Sequence, residues 1–110
     1  MRGTVPSNVK PVIEAVKKRL SRMYRGRFEG IVLYGSYARG DYAPGSDIDL
    51  IVLLKRMTNA VEEMEKISKE VHKIDFKYNT LVSVIPFDVD VYQAAKLPIL
   101  LNARKEGILV

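Results

Sequence analysis

The chain has 110 residues, 47% of them hydrophobic, which is room for one ordinary core over residues 1–110 and not for a second domain. It contains no cysteine and a single histidine, His72, so disulfides, zinc–thiolate centres, thiol nucleophiles and histidine metal clusters are excluded, and any metal must be held by oxygen, as magnesium prefers. Lysine and arginine outnumber the acids 18 to 13, a formal charge of +5 that suits a phosphate-bearing ligand or an acidic partner.

In chain order, Val9, Val12, Ile13, Val16, Leu20 and Met23 recur at steps of three and four with basic residues between them, which predicts an amphipathic helix over about 8–25. Ser7 is its expected N-cap, Pro11 sits in its first turn, and Gly26 closes it. The basic run from Lys17 to Arg27 reads as the solvated face of this helix. GIVLYG (Gly30 to Gly35) is a short apolar run between glycines, too short for a helix and suited to a buried strand. SYARGDYAPGS follows as a loop with one helical turn over 36–39, in which Asp41 and Ser46 take turn or capping roles. DIDLIVLL (Asp47 to Leu54) returns to apolar β character, with two aspartates at its start.

Asn59 caps a second helix, whose apolar face is expected to be Val61, Met64, Ile67, Val71 and Ile74, with His72 facing solvent. Asn79 to Phe87 gives a third strand ended by Pro86. One or two short helices follow, with Pro98 between or opening them and Gly107 as the final stop. The fold class is therefore α+β (α/β), with about three core strands and helices packed on one face. No apolar run approaches the roughly 20 residues that span a bilayer, and the first twenty residues hold no signal-type hydrophobic stretch, so a soluble, cytoplasmic protein is expected.

Side chains on a strand alternate between faces, so Asp47 and Asp49 point the same way. Two carboxylates fixed side by side are costly unless a cation lies between them or a proton is shared. Upstream, Gly35 lets the backbone approach a phosphate closely, and Ser36, at a turn into a helical segment, supplies a hydroxyl and an N–H. Gly35-Ser36, ten residues, then Asp47-Ile48-Asp49 between two apolar strands resembles the signature of the DNA polymerase β-like nucleotidyltransferase superfamily. The longer stretch LYGSYARGDYAPGSDIDLIV is similar to its smallest branch, the minimal nucleotidyltransferases.

The resemblance implies that Gly35 and Ser36 bind the triphosphate of a nucleotide such as ATP, and that Asp47 and Asp49 ligate magnesium in a two-metal type of site. Asp47, Asp49 and Ser36 are then the catalytic candidates. Arg39 is a candidate phosphate contact or else a solvated arginine. Members of the family usually carry a third carboxylate on the next strand, where this chain has Ser83; Asp75, Asp88 and Asp90 flank that strand and read as caps or surface charges. A chain of this length leaves the acceptor to be supplied in trans. By resemblance the partner is a small helical HEPN-type protein in a toxin–antitoxin pair, the nucleotidyltransferase acting as antitoxin by transferring AMP from ATP to a tyrosine of the toxin. The alternative is a weak or inactive nucleotide-binding module that neutralises its partner by stoichiometric contact. No recognised RNA-binding motif accompanies the basic run, so nucleic acid is not an expected ligand.

Overall fold

The computed structural model describes residues 5–94 and 98–110. Its elements follow the order α1 (Lys10–Tyr24), a 3-10 turn over Arg25–Arg27, β1 (Phe28–Tyr34), α2 (Ser36–Arg39), β2 (Ile48–Leu54), α3 (Ala60–Tyr78), β3 (Val82–Asp88), α4 (Val89–Ala94), α5 (Pro98–Glu106) and β4 (Ile108–Leu109). The sheet order is β3-β2-β1-β4, with β2 antiparallel to β1 and parallel to β3. Antiparallel β1 and β2 are joined through the α2 loop, whereas parallel β2 and β3 need the long crossover that α3 provides.

The α+β class and its three core strands are as expected, and the helix cover proves to be on both faces. On one face, α1 and α3 pack Val12, Val16, Leu20, Ile67 and Val71 over Ile31, Leu33, Leu50 and Val52. On the other, Tyr92 of α4 with Leu100 and Ala103 of α5 cover Val32, Ile51 and Leu53. Strand alternation explains the division, since the odd and even residues of β2 feed different clusters. The two-residue β4 was not foreseen. Gly107 closes α5, with its N–H donating to the Ala103 carbonyl at 2.7 Å, and lies so close to Val32 that a side chain there would collide. The chain can then lay Ile108 and Leu109 against Leu33 and Val32 of β1.

Several boundaries differ from the sequence expectation. The helix α1 starts at Lys10 with Val9 as its N-cap and no side-chain cap, so Ser7 lies in the turn before it. It stops at Tyr24 because Arg25 takes a positive φ of 52°, ahead of Gly26. Asn59 caps α3 as expected, accepting from the Glu62 N–H at 3.1 Å. The buried face of that helix is rotated, however: Glu63, Ile67, Val71, Ile74 and Asp75 are buried, while Val61 and Met64 are exposed. Glu63 tolerates burial because Arg27 donates to it at 3.0 Å. Pro86 lies inside β3 opposite Val52 and does not end it. β3 is an edge strand, where proline's missing N–H leaves no ladder bond unmade on the open side.

Asp75 is no surface charge. Its Oδ1 accepts from the Val82 N–H at 2.9 Å and from the Thr80 hydroxyl at 3.1 Å, tying the end of α3 to the start of β3. Asp75→Ala leaves the buried Val82 N–H without an acceptor and should cost roughly 2 kcal/mol in urea unfolding. Asp75→Asn keeps an acceptor oxygen and should cost clearly less; equal losses in the two variants would contradict this role.

Candidate functional site

The Gly35 to Asp49 stretch is assembled by the register of β1 on β2. Tyr34, the last residue of β1, pairs with Asp49, and Gly35 follows at φ 75° and ψ −152°, a conformation open mainly to glycine. A Cβ at Gly35 would run into the Asp49 carboxylate, with the Asp49 Cγ 3.2 Å and the Asp49 Cβ 3.3 Å away. The glycine thus turns the chain and lets the carboxylate lie against the backbone.

From that turn α2 starts at Ser36. The Gly35 carbonyl accepts from the N–H groups of Ala38 and Arg39, and the Ser36 carbonyl from those of Gly40 and Asp41. The Ser36 hydroxyl has no hydrogen-bond partner among the described residues and sits at the first turn of a helix, where unpaired N–H groups favour anions. The return loop is built locally. Ser46 accepts from the Ala43 N–H at 2.8 Å through its hydroxyl and donates its own N–H to the Ala43 carbonyl at 3.0 Å, while Tyr42 stacks on Tyr37 with centroids 4.3 Å apart.

Asp47 stands just before β2 and is exposed, whereas Asp49 lies in β2 and is half-buried. Neither has an ion pair among the described residues. Burial first, and then the charge of Asp47, pushes the Asp49 carboxyl above its ordinary range, against the opposing pull of Arg39. Arg39 is spent elsewhere: its guanidinium lies 3.1 Å from Asp41 and 3.7 Å from Glu106. Two carboxylates, one half-buried and under-compensated, beside a backbone that leaves room for them, are a donor set that fits a hard divalent cation completed by phosphate and water oxygens.

Sequence reasoning expected a helix near Pro98 but missed that α5, and Tyr34, line the site. Burial, then the charge of Asp49, pushes the Tyr34 hydroxyl up. Tyr34, Gly35 and Arg39 form one wall of a cleft of about 400 Å³, with Ile99, Asn102 and Glu106 of α5 opposite. Tyr34 could have been found by pairing the ends of the two apolar runs; the α5 residues have no local signal. On the far side of β2, Ser83 is the register partner of Asp49 and is exposed at the sheet edge. Asp88 pairs with Leu54, five residues further along the strand or about 16 Å away. It accepts there from the Met57 and Asp90 N–H groups at 3.1 and 2.9 Å, and these bonds hold its carboxyl below the usual range. Asp75, turned toward the α1 and α3 side, is engaged with β3.

Residues 13–106 match a family model described as "Nucleotidyltransferase domain". The chain belongs to this family. Among nucleotidyltransferase relatives, a protein of Methanocaldococcus jannaschii named "putative protein adenylyltransferase" is 38% identical over 74 residues, 67% of this chain and 74% of its own length. A second protein of that name and organism is 47% identical over 45 residues, 41% of each chain. A crystal structure described as "a putative nucleotidyltransferase from Sulfolobus solfataricus" shares the fold with a TM-score of 0.59 and 21% identity, over 97% of this chain and 88% of that one. Another, described as "the toxin-antitoxin with AMP-PNP", gives a TM-score of 0.61 and 20% identity over 87% and 70%.

Gly35→Ala combines a strained φ with a steric conflict at Asp49 and should cost roughly 3 kcal/mol, read as a lowered urea midpoint. Asp49→Asn should act in the opposite direction. The folded state raises the pKa of this acid, so its ionisation opposes folding at neutral pH. The Asn variant should therefore melt higher than wild type at pH 7 without divalent ions, read by thermal unfolding. This gain should shrink as pH falls through the Asp49 pKa and disappear once the carboxyl is protonated in both states.

Proposed function

We propose that this nucleotidyltransferase transfers AMP from ATP, with magnesium, to a hydroxyl of a partner protein. The observation that carries this reading is the Asp49 carboxylate lying against the Gly35 backbone, which brings a phosphate-compatible turn and an acidic pair to one end of two paired strands. The names of the M. jannaschii relatives favour a protein acceptor and AMP as the transferred group. The toxin–antitoxin complexes that share the fold favour a partner supplied in trans, of HEPN type by resemblance, with this chain as the antitoxin.

In this reading Asp47 and Asp49 hold magnesium, which when bound neutralises the triphosphate and lowers the barrier to nucleophilic attack at the α-phosphorus. Ser36 orients the triphosphate with its hydroxyl and N–H, and Gly35 keeps the approach open. Arg39, already shared between Asp41 and Glu106, contributes positive potential at the rim. An acceptor oxygen attacks the α-phosphorus, the α–β phosphoanhydride bond breaks, and pyrophosphate leaves while the acceptor's hydroxyl proton passes to solvent water. No carboxylate of β3 stands beside Asp49 to take that proton, because its cross-strand partner is Ser83. That observation favours a second reading as well: nucleotide and magnesium bind, transfer is slow, and the partner is neutralised by stoichiometric contact.

Incubation with α-labelled ATP, magnesium and the partner protein separates the two readings. Transfer should fall at least a hundredfold in Asp47→Asn/Asp49→Asn, on the scale of losing a metal's transition-state contribution of several kcal/mol. Neutralisation of the partner that survives this double variant would reject catalysis as the mechanism. Ser83→Asp should raise the transfer rate by about tenfold or more, as a positioned proton acceptor does. An unchanged rate would show that the wild-type site does not lack an acid at this position.

A further inference from the structure

On the outer side of the α1 and α3 layer, away from the sheet face that carries Asp49, the two helices enclose a groove of about 700 Å³. Six cations line it: Lys17, Lys18, Arg19 and Arg22 from α1, and Lys73 and Lys77 from α3. The helical run that reads in sequence as a solvated face therefore meets a second basic edge, from a helix more than fifty residues further along the chain. Arg19 and Lys73 share one carboxylate, Glu70, at 3.2 and 3.5 Å. Lys17, Lys18, Arg22 and Lys77 have no ion pair among the described residues, and the one acid lining the groove is Glu14. Tyr78, 36% exposed, also lines it, with the Lys77 ammonium 5.5 Å from its ring centroid.

We propose that this groove binds a single-stranded nucleic acid, its phosphates along the unpaired cations and a base against Tyr78. A concentration of uncompensated lysine and arginine calls for a polyanion. An acidic helix would need apolar anchor pockets to seat on, and the apolar floor here is Pro11, Ala15 and the already buried Ile74. A basic groove with one exposed aromatic ring suits a strand whose bases stack and whose backbone follows the charge. A duplex, unlike a single strand, cannot enter a furrow between two packed helices about 8–10 Å apart axis to axis. This inference is independent of the transferase reading, since it uses none of the residues between Gly35 and Asp49.

The test is fluorescence anisotropy of the full chain with a labelled oligouridylate about a dozen nucleotides long, alongside an oligothymidylate, a duplex and a polyglutamate peptide of similar length. With four phosphates neutralised, oligouridylate binding should weaken about 50-fold between roughly 50 and 200 mM salt. Lys18→Glu/Lys77→Glu should weaken binding at low salt by about tenfold or more, and Tyr78→Ala by about fivefold or more. Lys18→Gln/Lys77→Gln, a milder change, should show a smaller loss in the same direction and an unaltered melting temperature. The oligothymidylate arm assigns the sugar, and the duplex should bind more weakly than either single strand. The proposal is overturned if oligouridylate does not bind at low salt, if the charge variants bind it like wild type, or if polyglutamate binds more tightly and displaces it.

Discussion

The contact between the Gly35 backbone and the Asp49 carboxylate is the constraint around which the site is organised. It exists because β1 and β2 are antiparallel with Tyr34 opposite Asp49, a register locked further down by Leu33 with Leu50 and Ile31 with Val52 in the buried cluster. A slip of one residue would turn every one of these side chains to the wrong face, so the core enforces the site's geometry. Once the pair is fixed, the rest follows locally. The positive φ of Gly35 aims the chain into α2, which presents Ser36 first, and Asp47, just ahead of β2, lies close enough for its charge to act on Asp49.

That geometry is electrostatically uncomfortable, and the discomfort is informative. Asp49 loses water without gaining an ion-pair partner among the described residues, and Arg39, whose charge acts on it, is already paired with Asp41 and Glu106. Proteins that carry such uncompensated groups are stabilised by whatever binds there in the folded state alone, which is the physical ground for proposing a cation and its phosphate ligands at this position. The three other acids in or beside β3 are not equivalent substitutes. Asp75 is consumed in fastening β3 to α3, Asp88 works about 16 Å down the strand as a receiver of backbone N–H groups, and Asp90 lies beyond it. On β3 the position beside Asp49 is held by Ser83, which carries no charge.

Much of this was legible in the sequence because glycine and proline punctuate it strongly. The turn over 36–39, both central strands and the cap at Asn59 all sit where local chemistry puts them. What escaped depends on distant neighbours. The apolar look of Val61 and Met64 says nothing of Arg27, a distant partner that lets Glu63 take the buried place while Val61 and Met64 face out. Pro86 resembles a strand terminator until β3 is known to be the edge. The tail that forms β4 carries too few residues to show a period, and Asn102 and Glu106 reach the cleft only through the packing of α5 on the second sheet face.

The same sheet also separates two surfaces with opposite electrostatics. At the head of β2 the side chains are predominantly acidic, with Asp41, Asp47, Asp49 and Glu106 set against Arg39. The formal charge of +5 therefore cannot arise there and is carried elsewhere, much of it on the outer side of α1 and α3. A negative site attracts a phosphate ligand only through an intervening cation, whereas a basic groove attracts one directly and in proportion to how little salt is present. Under the two proposals, divalent ion and ionic strength act on different faces of the molecule: a ligand whose binding needs magnesium is assigned to the Asp47 and Asp49 face, and one whose binding weakens steeply with monovalent salt alone to the helical face.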